Sequence, residues 1–327
     1  MKLTRVALVF VLATAPAPVL AWDDVGHMTV AAIAYDRLTP PARREVAALL
    51  KLNPQYPEWR AVARGKDEDR VVFLMAATWP DFIKHSGGLD DDGEVPSGPE
   101  SARNIGYGDK LMHKYWHYVD MPFSPDGTPL AGPRTPNAQT EIGIFRHTLE
   151  ATAADAGLRS YDLVWLLHLV GDVHQPLHAT SRFDRARPNG DAGGNQVRIC
   201  TAGCGPLHAY WDNLLEPAGG HIEATCRAQN LFPNGAGCSA LKVAAALANA
   251  QAAARSEPKL AADTDEAHWI AESFALAKTQ VYSTPVGVGK GPYHLDGSYE
   301  RAARNTAEIR VALAGARLAN LLNQALR

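Results

Sequence analysis

The sequence predicts an all-α protein, and three observations carry the prediction. Apolar residues recur at helical spacing along most of the chain, strand-like alternation is almost absent, and the last third is rich in alanine at amphipathic spacing. Proline and glycine gather in discrete stretches that separate the helical runs instead of interrupting them. The expected architecture is a single large helical domain, a bundle of about eight to ten helices with long loops and at most a short β-hairpin.

In chain order, residues 1–21 read as a secretory signal. Lys2 and Arg5 form the basic start, VALVFVLATA a short apolar core, and Val19-Leu20-Ala21 a small-residue cleavage site. That core is too short for a spanning helix and no later segment is long and apolar enough, so residues 22–327 are expected as one exported domain, secreted or periplasmic. Four cysteines suit an oxidising compartment. They allow three pairings, of which 200–204 and 226–238 would each staple a local loop. A net charge of −3 excludes a long basic track for nucleic acid, so attraction for phosphate has to be local.

The first helix runs from His27 to Leu38, and Thr39-Pro40-Pro41 ends it and opens the next, over 41–51. A third is expected near 68–80, ending in Trp79-Pro80-Asp81. Residues 86–109 are dominated by Gly, Asp and Pro and read as an exposed loop, after which LMHKYWHYVDMP presents His117 and Asp120 on an extended or turning segment. A second loop covers 122–136, then helices are expected at 138–156 and 160–175. DRARPNGDAGGNQVRIC supplies a Gly/Asn-rich turn and the one convincing strand. LHAYWDNLL forms a helix after the Cys200–Cys204 turn, and three Ala-rich helices follow near 239–255, 264–281 and 298–326. There is no internal repeat and no clear linker.

The stretch Leu166–Thr180 carries the chemistry. Leu163 to Val173 is apolar nearly all the way round, the pattern of a buried helix, yet it bears His168 and Asp172 on one face at i, i+4. A carboxylate buried there must be paired or hold a metal. Pro176 ends the helix and lets His178 turn back toward that face. His208 and Asp212 repeat the His-x-x-x-Asp spacing on a second helix, and helices presenting such pairs inward are how bundles build polynuclear metal sites. With Trp22, His27, Asp81 and His117 the candidate metal ligands number nine, too many for one ion and right for three. Histidine and aspartate without a free thiolate point to zinc with positions open to water. His174 lies about 240° round the helix from His168 and is expected as a hydrogen-bonding neighbour. His85, His113, His147, His221, His268 and His294 are expected on loops or the surface.

These residues fall in five ordered motifs: W-x-x-x-G-H at Trp22–His27, W-x-D-x-I-K at Trp79–Lys84, H-Y-V-D at His117–Asp120, H-L-V-G-D-V-H-Q-P-L-H at His168–His178, and H-x-x-W-D at His208–Asp212. In them the chain resembles the zinc-dependent nucleases of the S1/P1 type, from Trp22 to about Leu215; residues 216–327 carry no matching motif. The resemblance implies an α-helical domain with three zincs. Asp81, His117, His168 and Asp172 would hold one, and His178, His208 and Asp212 a second. Trp22, through its α-amine and carbonyl, would hold the third with His27 and a shared oxygen of Asp172.

Two zincs bridged by Asp172 would activate a shared water as hydroxide for in-line attack on phosphorus, with Asp81 orienting it and Lys84 stabilising the phosphorane. The implied substrates are single-stranded DNA and RNA, giving 5′-phosphate products, and 3′-nucleotides. No stable protein partner is implied. Base recognition would fall to His85, Tyr118, Asp120, Gly193 and Asn195, by stacking and edge contacts that need an unstacked base. A zinc-dependent phospholipase C shares the architecture and the N-terminal tryptophan, but Asp212 stands where its glutamate is expected, and Gly193-Gly194-Asn195 fits the nuclease pattern. A non-catalytic zinc-binding protein is the third reading; fixed single ligands spread over helices speak against it.

Overall fold

The computed structural model describes residues 22–63, 67–216, 236–253 and 260–327. The expected signal segment falls outside these residues, as do His221 and Cys226, and with Cys226 the expected 226–238 cysteine pair. Helices dominate what is described, as the periodicity predicts.

Helix α1 (Asp24–Arg37) is capped by the Asp23 carboxylate, which accepts the Gly26 N–H at 2.9 Å. It is buried from Val25 to Tyr35 and packs chiefly on the long C-terminal helix, α11 (Gly297–Ala325). Gly315 makes the approach possible, since a Cβ there would lie 2.6 Å from Ile33 Cβ. Helix α2 (Pro40–Leu50) starts on Thr39, with proline in its first turn where no donor is lost. Helix α3 (Tyr56–Ala63) is not predicted by the sequence reading: it is short and buries only Trp59 and Ala63, too little to register as a period.

The helix expected over 68–80 is two. α4 (Glu68–Ala76) ends, and α5 (Trp79–Phe82) starts afresh with Pro80 in its first turn, because proline cannot continue the hydrogen-bond ladder of α4. α6 (Ala138–Glu150) opens with a reciprocal capping box between Asn137 and Thr140. It stops short of the expected residue 156 because Asp155 caps the next helix, α7 (Ala156–Asp172). α8 (Leu207–Asp212), α9 (Ala236–Ala253) and α10 (Glu266–Leu276) follow, the last running into a wide turn at Ala277–Val281 before α11.

The β-structure exceeds the expected hairpin. β1 (Pro122–Phe123) pairs in parallel with β2 (Ser181–Arg182), while β3 (Arg198–Cys200) and β4 (Cys204–Pro206) form the hairpin closed by the Cys200–Cys204 disulfide. β5 (Tyr293–His294) joins β3 in parallel, a pairing between distant segments that no local pattern announces. No helix among the described residues is long and apolar enough to cross a membrane.

The upper part of α7 buries a second acid besides Asp172. Asp162 is fully buried, and both its oxygens accept from Asn104 Nδ2, at 2.9 and 3.0 Å. Burial pushes this carboxyl up to about 7. Folded protein therefore keeps the proton while the unfolded chain, near 3.9, has lost it. The stabilisation is complete below the unfolded value and declines as pH rises through about 7. Asp162→Asn is expected to flatten the fall in unfolding free energy between pH 5 and pH 8 by on the order of 2 kcal/mol, measured by urea denaturation. Identical pH slopes in the two proteins would contradict it.

Candidate metal centre

The centre forms where α7 ends. Asp172 is fully buried, and its two oxygens face opposite groups. Oδ2 lies 3.0 Å from His117 Nδ1 and 3.2 Å from His168 Nε2, while Oδ1 lies 3.3 Å from His27 Nε2. His168 comes from the same helix, one turn back; His117 ends the 3₁₀ turn Lys114–His117; His27 comes from the first turn of α1. The His27 and His168 rings stack with centroids 3.8 Å apart. Gly171 allows this, because a Cβ there would stand 3.0 Å from His27 Nδ1. Its carbonyl also accepts Trp22 Nε1 at 3.0 Å, tying the start of the described chain to the end of α7.

Asp81, on α5, closes the first cluster. Its Oδ1 lies 3.7 Å from His168 Nε2, 3.8 Å from His117 Nδ1 and 2.8 Å from Lys84 Nζ. The second cluster lies on the other side of His117. His178 and His208 face each other with Nε2 atoms 3.1 Å apart. The Asp212 carboxylate approaches His178 Nε2 to 3.8 Å and His208 Nε2 to 3.5 Å. Gln175 Nε2 donates to Asp212 Oδ1 at 2.7 Å and fixes that carboxylate. Three groups of donors result: His27–Asp81–His168, His117–His168–Asp172 and His178–His208–Asp212.

These donors fit divalent metal ions, and hydrogen bonding shows why. His178 Nδ1 meets the His117 carbonyl at 2.8 Å and His208 Nδ1 the Gly193 carbonyl at 2.6 Å, so both rings carry their proton outward. Two bare Nε2 lone pairs then face each other, an arrangement that only a cation relieves. His168 follows the same rule, with Nδ1 on the Ala77 carbonyl at 2.8 Å. Both His27 nitrogens, His117 Nε2, Asp172 Oδ1 and Asp212 Oδ2 are buried without any hydrogen-bond partner. Burial, with a neighbouring His168 charge, pulls His27 down to about 4. Burial and Lys84 pull His117 to about 3, and burial and His178 pull His208 to about 3. The His27, His117 and His208 imidazoles are thus neutral, the form that binds metal, whereas at His168 the Asp172 and Asp81 charges outweigh burial and raise the pKa above its ordinary value.

Of the residues expected at the base, Tyr118 is half-buried, and its hydroxyl donates to the Glu94 carbonyl in the 86–109 loop. Asp120 is half-buried; burial and the neighbouring Asp191 push its carboxyl up to about 6. Asn195 bonds back to the Ala192 carbonyl through Nδ2 at 2.8 Å. His85 is exposed, one turn past Asp81. Gly193 is buried and its carbonyl is taken by His208.

His113 corrects the expectation of a surface or loop histidine. It sits in a loop, yet it is fully buried, stacked on Trp116 at 3.6 Å and hydrogen-bonded to Asp109 at 3.0 Å and Tyr115 at 3.1 Å. Gln175 and Gly171 carry no chemical signature of their own in the sequence; their place inside the central motif is the only signal that marks them.

Compared with known protein families, the chain matches S1/P1 Nuclease over residues 22–327. The chain belongs to the S1/P1 nuclease family. The match runs through the last third, where the sequence shows no motif of its own. No curated protein matches the chain in a direct search. This nuclease thus carries three His/Asp groups that could hold metal ions within a mainly helical domain, and Gly193 helps to shape one of them. Gly193 has φ +58°, and a Cβ would lie 2.6 Å from the Leu177 carbonyl oxygen and 3.2 Å from His208 Nδ1. Gly193→Ala is expected to displace His208 and cost one bound metal ion per chain by elemental analysis. Full metal content in that variant would show that the close approach is dispensable.

Proposed function

We propose that the protein is an exported three-zinc phosphodiesterase that cleaves single-stranded DNA and RNA to 5′-phosphate products and removes 3′-phosphates from nucleotides. The observation that carries this reading is the Asp172 carboxylate, with one oxygen toward His27 and the other toward His117 and His168. A carboxylate so placed between two sets of imidazoles suits a bridge between two ions. Asp81, His117, His168 and Asp172 would hold one zinc, His178, His208 and Asp212 a second, and the Trp22 amine and carbonyl with His27 and Asp172 a third. Zinc at these positions would polarise phosphoryl oxygens and supply a water-derived nucleophile at neutral pH.

The chain's own residues would do the rest. Lys84, a nearly buried cation 2.8 Å from Asp81, holds that carboxylate in place and offers positive charge where a phosphorane gathers negative charge. The Tyr118 ring would stack on a base, its hydroxyl anchored on Glu94. Asp120, near its midpoint at about pH 6, and Asn195 would meet the base edge. Exposed His85 would line the rim, and Gly193 would act through His208. Stacking on a ring requires a base already out of a duplex, which favours single strands. The Cys200–Cys204 disulfide supports export.

The test uses protein that begins at Trp22. It is expected to hold three zincs per chain, to cleave circular single-stranded DNA, to lose activity to a chelator and regain it with zinc, and to leave phosphatidylcholine intact. Asp172→Asn is expected to lower both zinc content and activity, the latter by several orders of magnitude, whereas Lys84→Ala keeps its metals and loses on the order of 10²–10³ in kcat. Near-normal turnover with three zincs in Asp172→Asn would exclude the bridge, and an unchanged kcat in Lys84→Ala would make that lysine a structural partner of Asp81.

Export would also complete the site. An amide nitrogen has no lone pair to give, so Trp22 can serve as a ligand only once residues 1–21 are removed and its amine is free and deprotonated. Protein carrying one extra Gly before Trp22 is expected to fold, to hold two zincs and to lose most activity. Equal zinc content and turnover in the two forms would refute this.

A further inference from the structure

Behind the metal-binding face, the turn that links Asp172 to His178 is gripped by side chains from the last third of the chain. Carbonyls at a helix C-terminus lack intrahelical donors and must find others when buried. At the end of α7, Ser273 Oγ donates to the Val173 carbonyl at 2.6 Å and Arg310 Nε to the His174 carbonyl at 3.1 Å. His174 Nδ1 meets the Val170 carbonyl at 2.7 Å, and its Nε2 accepts from Arg317 Nη1 at 2.9 Å. Glu272 joins the two arginines, accepting from Arg310 Nη1 at 2.7 Å and from Arg317 Nη1 and Nη2 at 2.7 and 2.8 Å. Arg310 Nη2 also reaches Ser273 Oγ at 2.8 Å.

On its opposite face the same turn presents Asp172 to the first cluster, and Gln175, with Nε2 on Asp212, to the second. Replacing a buried ion network by apolar side chains is often neutral or stabilising, so stability alone gives little reason to bury two arginines here. Cations are, however, the natural caps for a helix C-terminus.

We propose that Glu272, Arg310 and Arg317 are positioning residues of the metal centre: by holding the Val173–Gln175 turn they set the separation of Asp172 from His178, and so of the first cluster from the second. This rests on the metal-binding reading given above.

The test compares Arg310→Met and Arg317→Met with wild type and with Val46→Ala, a core truncation in α2 remote from the turn. Zinc affinity is read by chelator competition well below the melting temperature, and ligand geometry by the visible absorption of cobalt-substituted protein. The arginine variants are expected to bind zinc about tenfold more weakly and to shift the cobalt bands, while Val46→Ala melts lower with wild-type affinity and spectrum. If the arginine variants do not accumulate, Ser273→Ala removes the donor to Val173 and one acceptor of Arg310, leaves the Glu272 pairs in place, and is expected to shift the cobalt bands in the same direction. Wild-type affinity and an unshifted spectrum in the variants, whatever their melting temperature, overturn the proposal. Wild-type protein that takes up neither zinc nor cobalt overturns the metal reading itself.

Discussion

Asp172 is an ion without water, and much of the structure exists to make that tolerable. A carboxylate at the end of an apolar helix is sustainable only if opposite charge or a full set of donors surrounds it. Here the surroundings are His27, His117 and His168, from three separate elements. Bringing His27 there requires α1 to lie against α7, which Gly171 permits locally, while Gly315 lets α11 hold α1 from behind. Bringing His117 there requires the 86–109 loop to end in a fixed turn, and the buried His113–Asp109–Tyr115 network immediately before it supplies the anchor. The charge burial and the helix packing are one problem with one solution.

The second cluster is built by different means. His178 follows a proline stop, and His208 and Asp212 sit on a helix of six residues that could not stand alone. Their geometry is borrowed from backbone: the His117 and Gly193 carbonyls orient the two imidazoles, and Gln175 orients the carboxylate. The disulfide-closed hairpin leads directly into α8 and limits how far it can shift. Gly193, expected near the base from the resemblance, also lies directly beneath His208, whose ring its carbonyl orients.

The helices with a long apolar period were legible from sequence, because burial of one stripe or a whole cylinder leaves a repeating signature. α3 was not, since two buried residues make no period, and the division between α4 and α5 turns on what Pro80 does to a ladder already formed. His113 illustrates the same limit. Its neighbours Asp109 and Tyr115 are close in sequence, but only the folded loop removes all three from water.

The sequence by itself determined the helical class, the His/Asp pairs of the central motifs and the Cys200–Cys204 loop, because each rests on spacing within a short segment. Tertiary structure alone decided which atoms of those side chains face one another, that the Gly193 carbonyl meets His208, and that side chains of the motif-free last third close over the end of α7. The reason is physical. A helix stripe or a His-x-x-x-Asp pair is fixed by local geometry, whereas an arginine more than a hundred residues away reaches a carbonyl only after the chain has packed, and no local pattern records that meeting.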